Sequence, residues 1–175
     1  MVKKEEYEKA RRSIIEKFLS NFEKKFKKEW QLYLKKQGKK IFEIVTLASI
    51  LEKEVARKED KKIVSGIFWK RIKKGKPLES CATIAYLLKK DWNSFEEMRK
   101  DIYSAKKIDS PYNTYLYPGL PKGPISNPGL DSLEAAIFPK FTDYNYFLTD
   151  PKTKKTIFAK TYREHLKNKA KYFGK

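Results

Sequence analysis

Between Pro111 and Gly129 the chain places five of its eight prolines and three of its seven glycines, and no other feature limits the fold so strongly. Proline fixes φ and removes a backbone donor, and glycine loosens the chain, so neither a long helix nor a central strand is expected there. Tyr112, Tyr115 and Tyr117 share the stretch with Asn113 and Asn127. A long ordered loop is uncommon in a compact domain and is often a binding surface. Upstream lies a second unusual segment, Leu47-Ala48-Ser49-Ile50-Leu51-Glu52-Lys53-Glu54, which sets two carboxylates into an apolar helix.

The rest of the chain reads mainly as helices. From about Lys4 to Lys36, Ile15, Phe18, Leu19, Phe22, Phe26, Trp30 and Tyr33 recur at helical spacing, predicting one long amphipathic helix or two in tandem that end at Gln37-Gly38. Helices are predicted from about Ile41 to Ala56, from Ile63 to Lys74 with a stop at Gly75, and from Ala82 to Leu88. Asn93 or Ser94 is expected to cap a helix whose stripe is Phe95, Met98 and Ile102, and Asp131 or Ser132 one that runs to Phe138 before Pro139. Tyr144 to Thr149 and Thr156 to Lys160 read as the arms of a hairpin. Thr161 and Glu164 form a capping-box signature for a last helix. The predicted class is α+β, mainly helical, with a small hairpin and a long Pro/Gly-rich loop.

Lysine and arginine number 41 against 22 aspartates and glutamates, a net charge of +19, which favours an anionic partner: nucleic acid, anionic lipid or an acidic wall polymer. Runs such as Lys24-Lys25 and Lys35-Lys36 read most simply as solvated helix faces. One cysteine, Cys81, excludes an intramolecular disulfide. No apolar run reaches the roughly 18 residues of a membrane span.

On an ideal helix Leu47, Ala48, Leu51 and Val55 share a face. Glu54 falls beside Leu47 and Ile50 on one flank, and Glu52 near Val45 and Ala48 on the other. A carboxyl walled by leucine and isoleucine is partly desolvated, which raises its pKa and suits it to act as a general acid near neutral pH. The plainer alternative is that both glutamates edge the helix and pair with neighbouring lysines or Arg57. In the loop, Tyr112, Asn113, Thr114 and Tyr115 offer the rings and hydrogen-bonding groups that sugars need, or else pack beneath it while Asn113 satisfies a turn. Ser80 and Thr83 either line a cleft or cap the following helix. His165, the only histidine, reads as a structural partner.

These segments together resemble the YceG-like endolytic murein transglycosylases. The likeness runs from the Leu47–Glu54 helix through Phe68-Trp69-Lys70-Arg71, Leu78-Glu79-Ser80-Cys81-Ala82-Thr83, Ser110-Pro111-Tyr112-Asn113-Thr114-Tyr115, Gly119-Leu120-Pro121 and Pro124-Ile125-Ser126-Asn127-Pro128-Gly129. It closes with Tyr146-Phe147 and Glu164-His165. The chain departs from the pattern at Lys70, where asparagine is common, and in Glu79-Ser80-Cys81-Ala82-Thr83, where the family often reads Gln-x-Asp-Pro-Thr.

The resemblance implies a lytic transglycosylase that cleaves the bond between N-acetylmuramic acid and N-acetylglucosamine within nascent strands and leaves 1,6-anhydro ends. Glu54 would be the catalytic acid and then base, with Glu52, Ser80, Thr83, Tyr112, Asn113, Thr114 and Tyr115 at the substrate and Glu52 in a supporting role. No metal or cofactor is implied. The expected partners are peptidoglycan strands and wall-synthesis enzymes, with no nucleic acid. The expected place of action is the outer face of the cytoplasmic membrane, the full-length protein being anchored there. Residues 41–175 are expected to be the catalytic domain and residues 1–40 a helical remnant of a preceding region. Two alternatives stay open on the residues alone: a basic nucleic-acid-binding module, and a peptidoglycan-binding domain without catalysis.

Overall fold

The computed structural model describes residues 4–174. Among them run eight helices and one hairpin, in the order α1 Lys4–Lys25, α2 Lys28–Lys36, α3 Ile41–Glu54, α4 Lys58–Lys73, α5 Cys81–Leu88, α6 Phe95–Ala105, α7 Leu130–Ile137, β1 Tyr146–Thr149, β2 Thr156–Ala159 and α8 Tyr162–Phe173. The chain is α+β and mainly helical. It divides into two compact units, one ending at Ile41 and the other beginning at Phe42.

The first unit holds α1 and α2, two helices in tandem. The break falls at Lys27, whose ψ of 142° is extended. Phe26 stacks on Phe22 at 5.0 Å and meets the edge of Trp30 at 5.7 Å, so an aromatic ladder spans the interruption. Along α1 the apolar side chains Ile15, Phe18 and Leu19 are exposed.

In the second unit α3 is the central strut. Ile44, Leu47, Ala48, Ile50 and Leu51 are buried, and so are Thr46 and Ser49. The two hydroxyls are tolerated because each donates to a backbone carbonyl of its own helix, Thr46 to Phe42 and Ser49 to Thr46. Helix α4 starts five residues before the predicted Ile63, since Lys58–Lys62 carry no apolar periodicity to reveal it. It ends in a Schellman turn: Lys76 N–H reaches Arg71 O and Gly75 N–H reaches Ile72 O, with Gly75 at φ 61°, where a Cβ would be strained.

Helix α4 packs on α7, tied by Trp69 Nε1 to Ala136 O at 3.0 Å and by Lys62 to Glu134 at 2.7 Å. Beyond α7 the chain crosses close to α4 at Gly66, where a Cβ would stand 2.3 Å from Lys140 O. Helices α5 and α6 pack together over Ile84, Ile102 and Ala105. Ser94 is the residue that caps α6, accepting from Glu97 N–H. Helix α7 departs from expectation. Its N-cap is Gly129, so Asp131 and Ser132 lie inside the first turn, and Ser132 is freed to bond elsewhere.

Strands β1 and β2 pair antiparallel, Tyr146 opposite Ala159 and Thr149 opposite Thr156. Tyr144 and Asn145 do not join the strand, because they wrap the Lys70 ammonium, which donates to Thr142 O, Tyr144 O and Asn145 Oδ1. Helix α8 covers the hairpin and opens on the capping box of Thr161 and Glu164. Between α6 and α7 the chain forms no helix or strand, only turns and one bridge from Pro118 to Pro77. No helix among the described residues is long and apolar enough to cross a membrane.

Candidate active site

Helix α3 delivers its two carboxylates to different surroundings, because residues two apart on a helix point about 200° apart. Glu52 faces α4 and α7. Its Oε2 accepts from Lys61 Nζ at 3.1 Å, Ser132 Oγ at 2.5 Å and Gly129 N–H at 3.2 Å. Partial burial pushes this carboxyl up, but the hydrogen bonds from Ser132, Lys61 and Gly129 together outweigh it and hold it below the ordinary value. Glu52 is thus an ionised cross-brace paired with Lys61, a lysine nine residues on, where the plainer sequence reading offered neighbouring lysines or Arg57.

Glu54 ends α3 at the head of α5. Ser80 Oγ–H donates to its Oε1 at 2.5 Å and Ala82 N–H at 3.1 Å. Ser80 is the N-cap residue of α5, yet its side chain makes no cap bond. The Glu54 carboxyl occupies that place, at the helix end where the backbone dipole favours negative charge. Among the described residues Glu54 makes no ion pair. Burial pushes its pKa up, and the bonds from Ser80 and the α5 backbone only partly offset that. The group is therefore protonated more readily than an ordinary glutamate, while its base form keeps two donors.

The floor beneath is a hydroxyl network. Ser80 N–H donates to Thr114 Oγ1, and Thr83 Oγ1 donates to Ser80 O while lying 2.9 Å from Thr114 Oγ1. Because the Thr83 hydrogen goes to Ser80, Thr114 supplies the hydrogen between the two threonines. Glu79 N–H donates to Thr114 O, and Glu79 sits at φ 53°, a conformation few non-glycine residues adopt. The structure thus gathers Glu54, Ser80, Thr83 and Thr114 at one point.

Tyr115 joins through Cys81, whose Sγ lies 3.1 Å from the phenol oxygen. Residue Cys81 is exposed, but its thiol is turned in against that ring. Burial first, then the Glu54 charge, pushes the thiol up, and burial likewise raises Tyr115. Lys106 Nζ covers the other side of the Tyr115 ring at 4.1 Å. Tyr112 lies further round, its ring 5.0 Å from that of Tyr86.

Asn113 is turned into the loop instead. It is 1% exposed, and its amide donates to Lys106 O and Ile108 O while its Oδ1 accepts from Tyr115 N–H. It is the internal pin of the loop. Replacing Asn113 by alanine would strand two partly buried carbonyls and one N–H, a cost of about 2–4 kcal/mol. Asn113→Asp should fare no better, since a carboxylate would face two carbonyl oxygens. Denaturant unfolding with amide exchange at Tyr115 checks this; native-like protection in both variants would refute the pin.

Sequence reasoning missed Lys61 and Ser132, whose link to Glu52 spans 9 and 80 residues and leaves no local trace. It also passed over Ser49, which accepts from Ile125 N–H at 2.9 Å and whose carbonyl accepts from Ser126 Oγ. There a signal existed, a hydroxyl between Ala48 and Ile50 on an apolar face. His165 stacks on Tyr146 at 5.4 Å, and its burial lowers its pKa.

The model of the YceG-like family matches residues 3–171. An endolytic murein transglycosylase of Bacillus subtilis is 39% identical over 143 residues, and one of Streptococcus pneumoniae 32% over 160. These alignments take in 81% and 91% of the chain but only 37% and 29% of the relatives, so the chain spans about a third of their length. A 2.6 Å crystal structure of a yceG-like protein from Listeria monocytogenes superposes with a TM-score of 0.69 at 38% identity, over 80% of this chain and 44% of that one. On the extent of the family match and the identity to these relatives, the chain belongs to the YceG-like family.

Proposed function

We propose that the chain is a lytic transglycosylase acting on the glycan strands of peptidoglycan, with Glu54 as its only acid/base. The observation that carries the reading is a carboxyl with a raised pKa, unpaired with any cation among the described residues, held at the N-terminus of α5 by Ser80 and Ala82. As an acid, Glu54 protonates the oxygen joining N-acetylmuramic acid to N-acetylglucosamine, and the anomeric C–O bond breaks. Its carboxylate then takes the proton of the muramoyl 6-hydroxyl. That oxygen bonds to the anomeric carbon, closing the 1,6-anhydro ring and returning Glu54 to its acid form. Ser80 N–H, Thr83 and Thr114 hold the floor; Tyr115 and Tyr112 offer rings to the sugars; Glu52 positions α3 and does not touch substrate.

In this reading residues 41–175 are the catalytic domain and residues 1–40 a helical lead-in. The site of action is the outer face of the cytoplasmic membrane, beside the enzymes that build the strands. Mass spectrometry of purified peptidoglycan digested by the chain tests the chemistry. Anhydro-muramoyl ends are expected. Reducing ends would mean that water is the nucleophile, and intact strands that the domain only binds.

Ser80→Ala gives a sharper test of the acid. Removing a hydrogen bond that lowers the Glu54 pKa moves it further up, so activity, which falls as pH rises through that pKa, should persist to higher pH. A pH–rate profile with an unmoved upper limb would separate Ser80 from the acid.

A further inference from the structure

The second unit contains a concavity of about 590 Å3, not lined by Glu54 itself, between the last turns of α4, the loop to Glu79, the start of β1 and the β2–α8 junction. Five cations line it, Lys70, Arg71, Lys74, Lys76 and Lys160, against one carboxylate, Glu79. Three of the five are committed. Lys70 is caged by the 142–145 turn, Arg71 donates to Leu78 O and Glu79, and Lys160 pairs with Asp143. Lys74 and Lys76 stand either side of Gly75, are exposed, and have no acidic partner among the described residues. Lys70 is pulled below the usual lysine value by burial first and then by the charge of Lys74, with Asp143 acting the other way.

One wall is aromatic. Tyr146 lies beneath Arg71 at 6.0 Å and touches Tyr162 at 5.7 Å. The cleft is linked to Glu54 through the chain, because Glu79 lines it while the next residue, Ser80, donates to Glu54. One residue step is about 3.8 Å.

We propose that this cleft binds the carboxylates of the acidic peptide stems carried by the glycan strand, and so sets the strand's register over Glu54. The proposal rests on the transglycosylase reading for its substrate. Lysine ammonium groups are flexible point charges suited to scattered carboxylates, whereas phosphate sites favour an arginine fork or a nest of backbone N–H groups. The one arginine lining the cleft is already occupied, and the tyrosine wall suits the methyl and methylene groups of a peptide.

The test is equilibrium binding of labelled strands by the Glu54→Gln protein, with the peptides intact or removed by an amidase. Intact strands should bind about tenfold tighter. Adding Lys74→Gln and Lys76→Gln, both exposed positions, should lower the affinity for intact strands to that for stripped ones and leave the latter unchanged. Equal affinity for the two strands, or a preference that survives the lysine changes, would overturn the proposal. Displacement by inorganic pyrophosphate where the free acidic peptide has no effect would reassign the anion as phosphate and overturn the carboxylate assignment. Turnover by the native chain is scored separately. Peptide-dependent binding without cleavage would sink the catalytic reading and support the cleft, and no binding of either strand would end both.

Discussion

Glu54→Gln should reduce strand cleavage by roughly a thousandfold or more, since one group serves as both acid and base, while Glu52→Gln should retain measurable turnover and lose stability. The two carboxylates lie two residues apart on one helix and differ in every neighbour: Glu52 has Lys61, and Glu54 has Ser80 and the α5 backbone. Glutamine keeps the shape of Glu54 and can accept the same bonds, so the loss would report proton transfer and not collapse. The sign of the stability effect provides the control. The pKa of Glu54 is raised in the folded state. Its contribution is fully present below the unfolded value of about 4.3 and is lost as pH rises through the folded one. Glu54→Gln should therefore match the native protein in acid and be at least as stable at neutral pH. Thermal unfolding at several pH values checks this, and a variant that is inactive and unstable at neutral pH would leave the catalytic role unproven.

Gly66→Ala should be the most damaging single methyl in the second unit, costing about 3 kcal/mol and on the order of 10 °C in Tm. The new Cβ would meet Lys140 O at 2.3 Å and Lys140 C at 2.9 Å, both backbone atoms. The chain there cannot simply retreat. Lys140 N–H is bonded to Lys62 O, and the following turn grips Lys70 through three acceptors. Relief would require α4 to part from α7 and the hairpin together. Urea denaturation settles the matter, and a loss below about 1 kcal/mol would show that the 140 segment yields.

The periodic parts of this fold were legible from residue spacing. Helix α3, the apolar half of α4, the Ser94 cap, the hairpin and the Thr161–Glu164 box all follow from local patterns that local physics enforces. The flank positions of the two glutamates were equally readable, because an ideal helix fixes them. What a linear reading lacked was partnership. Ser132 looked like a cap because its neighbours resemble one, but Gly129 serves that role and Ser132 answers Glu52 from 80 residues away. Lys70 looked like a departure from a family position, and only the folded turn shows why its ammonium is held there. Asn113 illustrates the same limit: it looked suited to bind sugar, but both its amide hydrogens and its side-chain oxygen are engaged by the loop that carries it.

The bonds that finish α3 reach partners 26, 76, 80 and 95 residues further along, at Ser80, Ile125, Ser132 and Thr149. Such separations make closure slow, since long loops lose entropy before any contact rewards them. They also impose a timetable on a growing chain. At roughly 5–20 residues per second, Thr149 emerges about 5–20 s after Glu54. Through that interval the backbone carbonyl of Glu54 waits for the Thr149 hydroxyl, so α3 is fully tied down only once β1 has been made.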